Sequence, residues 1–244
     1  MGADMLAKDT IARENVLHQG FVNSGQAVPG KQGAVDVFDY KPRGRSGYFF
    51  ATEVPKDLLL LHFTEGFFEG DLDTLTKTDN HVSVAFVVGR AGRIYRLFNP
   101  KFWSFHLGPG TVGGNEPNSK RAVAIEMSNV GFLKKDGNTM TFLGTPYCTA
   151  DQTEFYMDNG TNFRGERFFA TFTPEQYTAL NALVQQIVTD FNINKVAPPA
   201  ATRLNVFPNN AAASGFKGVA SHVNYRPDGK WDIGPAFDWS KIGL

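Results

Sequence analysis

Cysteine is nearly absent: Cys148 is the single one in 244 residues, so no internal disulfide framework can hold the chain together. An interior, inert thiol is the expectation for it. Net charge is absent too. Lys plus Arg and Asp plus Glu balance at 24 each, which leaves no overall field to draw the chain to nucleic acid or an anionic membrane surface. No run of about 18 apolar residues occurs, so a membrane span is not expected. The opening "MGADMLAKDTIARENVLHQG" has neither an apolar h-region nor a cleavage signature. The expectation is a chain synthesised in the cytoplasm without an obvious Sec signal. Internal repeats and low-complexity tracts are missing as well.

What remains is an ordinary globular composition, 42% hydrophobic and 20% charged, whose 22 phenylalanines are read as core stock. Residues 1–55 are polar and turn-rich, with a weak helical pattern at about 4–17 followed by "VPGKQG" and "KPRGRSG". They read as an N-terminal extension wrapped on, or leading into, a main domain over 56–244. "DLLLLHF" (57–63) has the continuous apolar pattern of a strand buried on both faces, and it reaches His62. "VSVAFVVGRAGRIYRLF" (82–98) reads as a hairpin and "RAVAIEMSNVG" (121–131) as a further strand. The clearest helix covers 174–191: Thr173 suits the cap, Pro174 the first helical position, and Gln176 a capping box. Its apolar stripe from Tyr177 to Phe191 requires a sheet to pack on. The long stretch "KVAPPAATRLNVFPNNAAASGFKG" is irregular, as functional walls often are. Strands mixed with helices predict an α/β fold with a mixed central β-sheet flanked by helices.

Of the five histidines, His62, His106 and His222 stand beside strand ends or loops where side chains converge, whereas His18 and His81 have no such setting. A catalytic zinc site takes three protein ligands and keeps a fourth position open. His222 and Asp232 are separated by Pro227 and Gly229, so the chain can turn back and bring both to one point. The same spacing also suits an ordinary surface pair, and both readings stand on these residues alone.

Taken in order, "LLLLHFTEG", "VSVAFVVGRAGRIYRLF", "FHLGPG", "RAVAIEMSNVG" and "SHVNYRPDGKWDIGPAFDW" resemble the zinc-dependent N-acetylmuramoyl-L-alanine amidases of the type 2 family, relatives of the phage lysozyme-type amidases and the peptidoglycan recognition proteins. The resemblance runs over about 56–240, and the last segment is its most specific part. It implies a single domain of that fold, Zn2+ as cofactor and His62, His222 and Asp232 as metal ligands. It makes Glu126 the general base and acid, and gives Lys230 a positive charge beside the developing oxyanion. One such donor is worth about 3–4 kcal/mol. His106 would line the substrate cleft; a core histidine with a satisfied hydrogen bond is the competing reading. Asp238 and Trp239 are read as structural and Asp228 as a turn residue.

The implied substrate is peptidoglycan or a muropeptide, taken by a monomer that acts as an endolysin, an exported effector or a recycling enzyme of cytoplasmic fragments. A catalytically weak or inactive peptidoglycan-binding module of the same fold is the alternative. Two features depart from the family pattern. Ala85 stands where relatives often carry a histidine, and the segment around 132–172 has no evident counterpart, its aromatics suggesting a cleft wall.

Overall fold

The computed structural model describes residues 6–244, along which the chain opens with helix α1 (Leu6–Asn23) and a hairpin of β1 (Ala27–Gln32) and β2 (Val35–Tyr40). Pro29 and Gly30 are tolerated in β1 because it is the outermost strand of its sheet, where one row of backbone groups needs no ladder partner. Gly33 turns the hairpin at φ +54, and its Cα approaches Gln186 so closely that an added Cβ would collide with that side chain. The chain continues through β3 (Leu58–Phe63), α2 (Phe68–Leu75), the hairpin β4 (Phe86–Val88) and β5 (Ile94–Arg96), α3 (Asn115–Arg121) and β6 (Ala122–Met127). Five strands follow: β7 (Phe132–Asp136), β8 (Thr139–Phe142), β9 (Thr145–Thr149), β10 (Tyr156–Phe163) and β11 (Glu166–Ala170). Last come α4 (Pro174–Asp190), the short α5 (Asn210–Gly215) and β12 (Gly218–Ser221).

Seven strands form a mixed sheet in the order β1-β2-β5-β4-β6-β3-β12. Its β12-β3-β6-β4 part is parallel, which explains why β3 is apolar throughout: parallel strands are covered on both faces. Leu59, Leu61 and Phe63 point to the face that packs Leu180, Leu183, Val184 and Ile187 of α4, while Leu58 and Leu60 meet Leu107, Ala213 and Tyr225 on the other. Each such leucine contributes about 1.5–3 kcal/mol by leaving water. The α4 cap is as expected from its sequence. Thr173 accepts from the Gln176 N–H, and the buried Gln176 side chain also donates to the Ser128 carbonyl, tying the helix to the end of β6.

Two regions differ in character from what their sequences suggest. The turn-rich part of residues 1–55 supplies the strands β1 and β2, which extend the central sheet at one edge. Residues 132–170 form a second, antiparallel sheet in the order β10-β11-β7-β8-β9. Leu133, Met140, Phe142, Tyr147 and Cys148 make a small core beneath it, and Ala7 of α1 packs there too. Cys148 is buried, and burial pushes its thiol up to about 11, the inert behaviour expected of it. No helix among the described residues is long and apolar enough to cross a membrane.

Candidate metal centre

Three neighbouring parallel strands end on one side of the sheet, the side where open α/β sheets bind ligands. His62 occupies the next-to-last position of β3, on the face shared with Leu58 and Leu60 by strand alternation. Glu126 of β6 is its register partner. Ser221 of β12 pairs with Leu61, so His222 enters beside His62 although 160 residues separate them in the chain. His222 opens a one-turn 3-10 helix capped by Ser221 and Asn224, and Asn224 donates to the carbonyls of Arg203 and Asn205. The long irregular stretch thereby anchors the turn that carries a candidate ligand. Beyond the Pro227–Gly229 turn the chain doubles back, and the Val223 N–H donates to the Asp232 carbonyl at 2.8 Å.

The three side chains converge. His62 Nδ1 lies 3.1 Å from His222 Nδ1 and 3.0 Å from Asp232 Oδ2, and His222 Nδ1 lies 2.9 Å from the same oxygen. All three residues are buried. Proton positions follow from the outer ring nitrogens. His222 Nε2 faces the Leu107 carbonyl at 2.9 Å, which only accepts, so that nitrogen carries the proton and Nδ1 presents a lone pair. His62 Nε2 faces His106 Nδ1 at 3.1 Å. A proton can bridge one of the three inner pairs, but a cation satisfies all three atoms at once. Asp232 Oδ1 is also buried without a partner. The donor set, two imidazoles and a carboxylate with outer partners fixing the rings, suits a metal ion, and these residues could hold one.

Electrostatics agree with that use. Burial lowers the His62 imidazole to about 4, keeping it neutral at ordinary pH, as a ligand must be. Burial alone would raise the Asp232 carboxyl, but His222 and His62 override it and hold it well below the usual carboxylate range. Glu126 goes the other way: burial first, then the Asp232 and Asp71 carboxylates, raise it well above an ordinary glutamate. Its Oε2 is enclosed and partnerless.

A cavity of about 210 Å³ is lined by His106, Glu126, His222, Lys230 and Asp232, with Phe63, Thr64, Asp71 and Val82 among its other walls. It adjoins a groove of about 360 Å³ that shares His106, His222 and Lys230 and runs along Phe105–Pro109. Five of the six residues singled out in the sequence line this cavity, and His62 reaches them through its contacts with His222, Asp232 and His106. His106 lines this cavity with its Nδ1 3.1 Å from His62 Nε2, while its Nε2 is buried without a partner. Asp238 caps the last 3-10 turn through the Ser240 N–H, and Trp239 is buried. Ala85 is buried in the core and lines neither cavity.

Sequence reasoning missed three contributors. The Leu107 carbonyl accepts from both His222 and Arg226, a role that no side-chain pattern reveals. Asp71 of α2, raised to about 6 by burial and held by Thr64 and Ser128, sits in the cavity wall. Glu65, at φ 54 with a buried, partnerless Oε1, is raised by burial, against the pull of Lys230. The Glu in "HFTEG" was the available signal for that residue.

Comparison with known proteins bears on this geometry. A family profile described as N-acetylmuramoyl-L-alanine amidase matches residues 52–235. The curated N-acetylmuramoyl-L-alanine amidase AmiD of Escherichia coli (strain K12) is 24% identical over 190 residues, 76% of this chain. The chain spans 51% of that relative's length. Among solved structures, the complex of AmiD from E. coli with anhydro-N-acetylmuramic acid-L-Ala-D-gamma-Glu-L-Lys aligns at a TM-score of 0.49 and 20% identity, covering 89% of this chain and 65% of the other. AmpDh3 from Pseudomonas aeruginosa aligns at 0.47 and 16%, covering 83% and 62%.

Proposed function

Because the chain belongs to the N-acetylmuramoyl-L-alanine amidase family, we propose that it is a zinc-dependent hydrolase of the amide between the lactyl group of N-acetylmuramic acid and L-alanine, in peptidoglycan or muropeptides. The observation that carries this reading is the meeting of His62 Nδ1, His222 Nδ1 and Asp232 Oδ2 within 3.1 Å of one another beside a cavity that holds Glu126. We assign the catalytic domain to 56–244, with 1–55 as an extension built onto its sheet edge, and a monomer as the working unit. Its setting is the cell wall, reached as an endolysin or exported effector, or the cytoplasmic pool of muropeptides.

His62, His222 and Asp232 would hold the zinc. When bound, it supplies Lewis acidity, lowering the pKa of water to about 7 and polarising the scissile carbonyl. Glu126 takes one proton from the attacking water as the new carbon–oxygen bond forms. It returns that proton to the nitrogen as the carbon–nitrogen bond breaks, leaving a free L-alanine amine and a lactyl carboxylic acid, which loses its remaining water-derived proton to solvent to become the carboxylate. A carboxyl raised well above the ordinary glutamate value by burial and by the Asp232 and Asp71 carboxylates suits both roles, since it holds a proton more readily and so can return it to the leaving nitrogen. Lys230, half-buried at the cavity mouth, holds positive charge where the oxyanion develops. With His62 Nε2–H donating to His106 Nδ1, the His106 Nε2–H is left to donate to substrate; this nitrogen has no partner in the protein.

The test is digestion of purified sacculi and of a soluble muropeptide by the zinc-loaded protein, with Glu126→Ala as control and mass spectrometry as readout. Sugar strands bare of peptide, and stem peptides with free L-alanine amines, are expected from the wild type only. Tight muropeptide binding without turnover would make the chain a recognition module, and cleavage at a cross-bridge bond would make it a different amide hydrolase.

A further inference from the structure

The second sheet reaches the metal centre through one side chain. Arg164 sits in the tight turn between β10 and β11 at φ 52, followed by Gly165 at φ 89. From there its guanidinium spans the loop that carries two of the candidate ligands. Nη1 donates to the Lys230 carbonyl at 2.7 Å and Nη2 to the Val223 carbonyl at 3.0 Å. The Arg164 carbonyl in turn accepts from the Trp231 indole at 3.1 Å. Phe132 of β7 packs on the same indole, ring centroids 4.7 Å apart.

Val223 directly follows His222, and Lys230 precedes Asp232 by two residues. The two carbonyls that the fork joins thus belong to the outgoing and returning limbs of one loop. Between those limbs the described hydrogen bonds include a single direct backbone bond, Val223 N–H to Asp232. A loop broken by Pro227 and Gly229 has little rigidity of its own, and a planar guanidinium is the group that holds two carbonyls at a set separation. Arg226 does not duplicate this contact, because it points across to the Leu107 carbonyl.

We propose that Arg164 is a positioning residue of the metal centre: by tying Val223 to Lys230 it fixes how far apart His222 and Asp232 stand and where the Lys230 ammonium lies. The proposal rests on the zinc reading of that centre. It gives the second sheet a function at the active site, as a brace clamped onto the ligand loop. Groups that orient metal ligands from outside typically change affinity by about 10–100-fold when removed.

The experiment measures zinc affinity by competition with a chromophoric chelator for the wild type, Arg164→Ala and Arg164→Lys, with His222→Ala as the siteless control. Amide hydrogen exchange is followed on the metal-free proteins. Arg164→Ala is expected to weaken zinc binding about 10–100-fold. It should speed exchange over 222–232 while β3 and α4 keep wild-type protection, which separates a loosened loop from a damaged fold. Arg164→Lys, able to reach one carbonyl but not span two, should fall between. If wild type and Arg164→Ala hold zinc equally, or exchange rises throughout the molecule, the assignment of Arg164 fails and the metal centre stands. If the wild type binds no better than His222→Ala, the zinc reading itself is overturned, and the proposal with it.

Discussion

At the scale of single residues, the centre works by opposing shifts on neighbouring carboxyls. Two imidazoles hold Asp232 ionised, while enclosure beside that charge keeps a proton on Glu126 to higher pH than an ordinary glutamate would. A general base must be ionised to act, so raising its pKa moves the acid limb of kcat/KM upward. The pH profile is therefore expected to rise through a midpoint above the ordinary glutamate value of 4.5, and a limb at or below that value would remove Glu126 from the role. His62, lowered to about 4, stays neutral across that range and adds no limb there. The six candidate side chains, His62, His106, Glu126, His222, Lys230 and Asp232, were readable in the sequence as candidates because each falls in a segment that resembles a family motif. Leu107 and Arg164 were not, since backbone carbonyls and a turn arginine act through geometry that no spacing encodes.

Among the elements, legibility followed local self-sufficiency. Helix α4 carries its own start signal in Thr173, Pro174 and Gln176, and β3 its own burial in an unbroken apolar run, so both were evident. The strand β1 was hidden by Pro29 and Gly30, residues that read as a turn until the strand is seen to be an edge. Strands β7 to β11 lack clean alternation because much of their surface faces water and their core is small. Helix α1 illustrates a different dependence. Its Glu14 is buried against the β4–β5 turn, where the Ala91 N–H donates to its carboxyl and Arg93 lies nearby, and burial raises it to about 7. The folded state thus keeps this proton when the unfolded chain has already lost it. That contribution is whole below about pH 4.5 and is lost as pH climbs through about 7. Thermal midpoints should fall over that window, and Glu14→Gln should flatten the fall; an identical slope in the variant would show that the helix does not depend on this proton.

For the whole molecule, no disulfide supplements packing and hydrogen bonding, so a bound ion would add directly to stability. A ligand that binds only the folded state adds about 2.7 kcal/mol at a hundred times its Kd, and about 2–4 °C follows per kcal/mol for a chain of this size. Zinc is expected to raise the thermal midpoint by about 5–10 °C, a chelator to reverse it, and His222→Ala to abolish the response. The same three-strand junction has a consequence for biosynthesis. The pairing of β12 with β3 joins segments 160 positions apart, and the later one follows all eleven other described strands in the chain. A polypeptide made only as far as β11 therefore carries His62, His106 and Glu126 but neither His222 nor Asp232, and the candidate metal centre cannot assemble until β12 and the loop beyond it have followed.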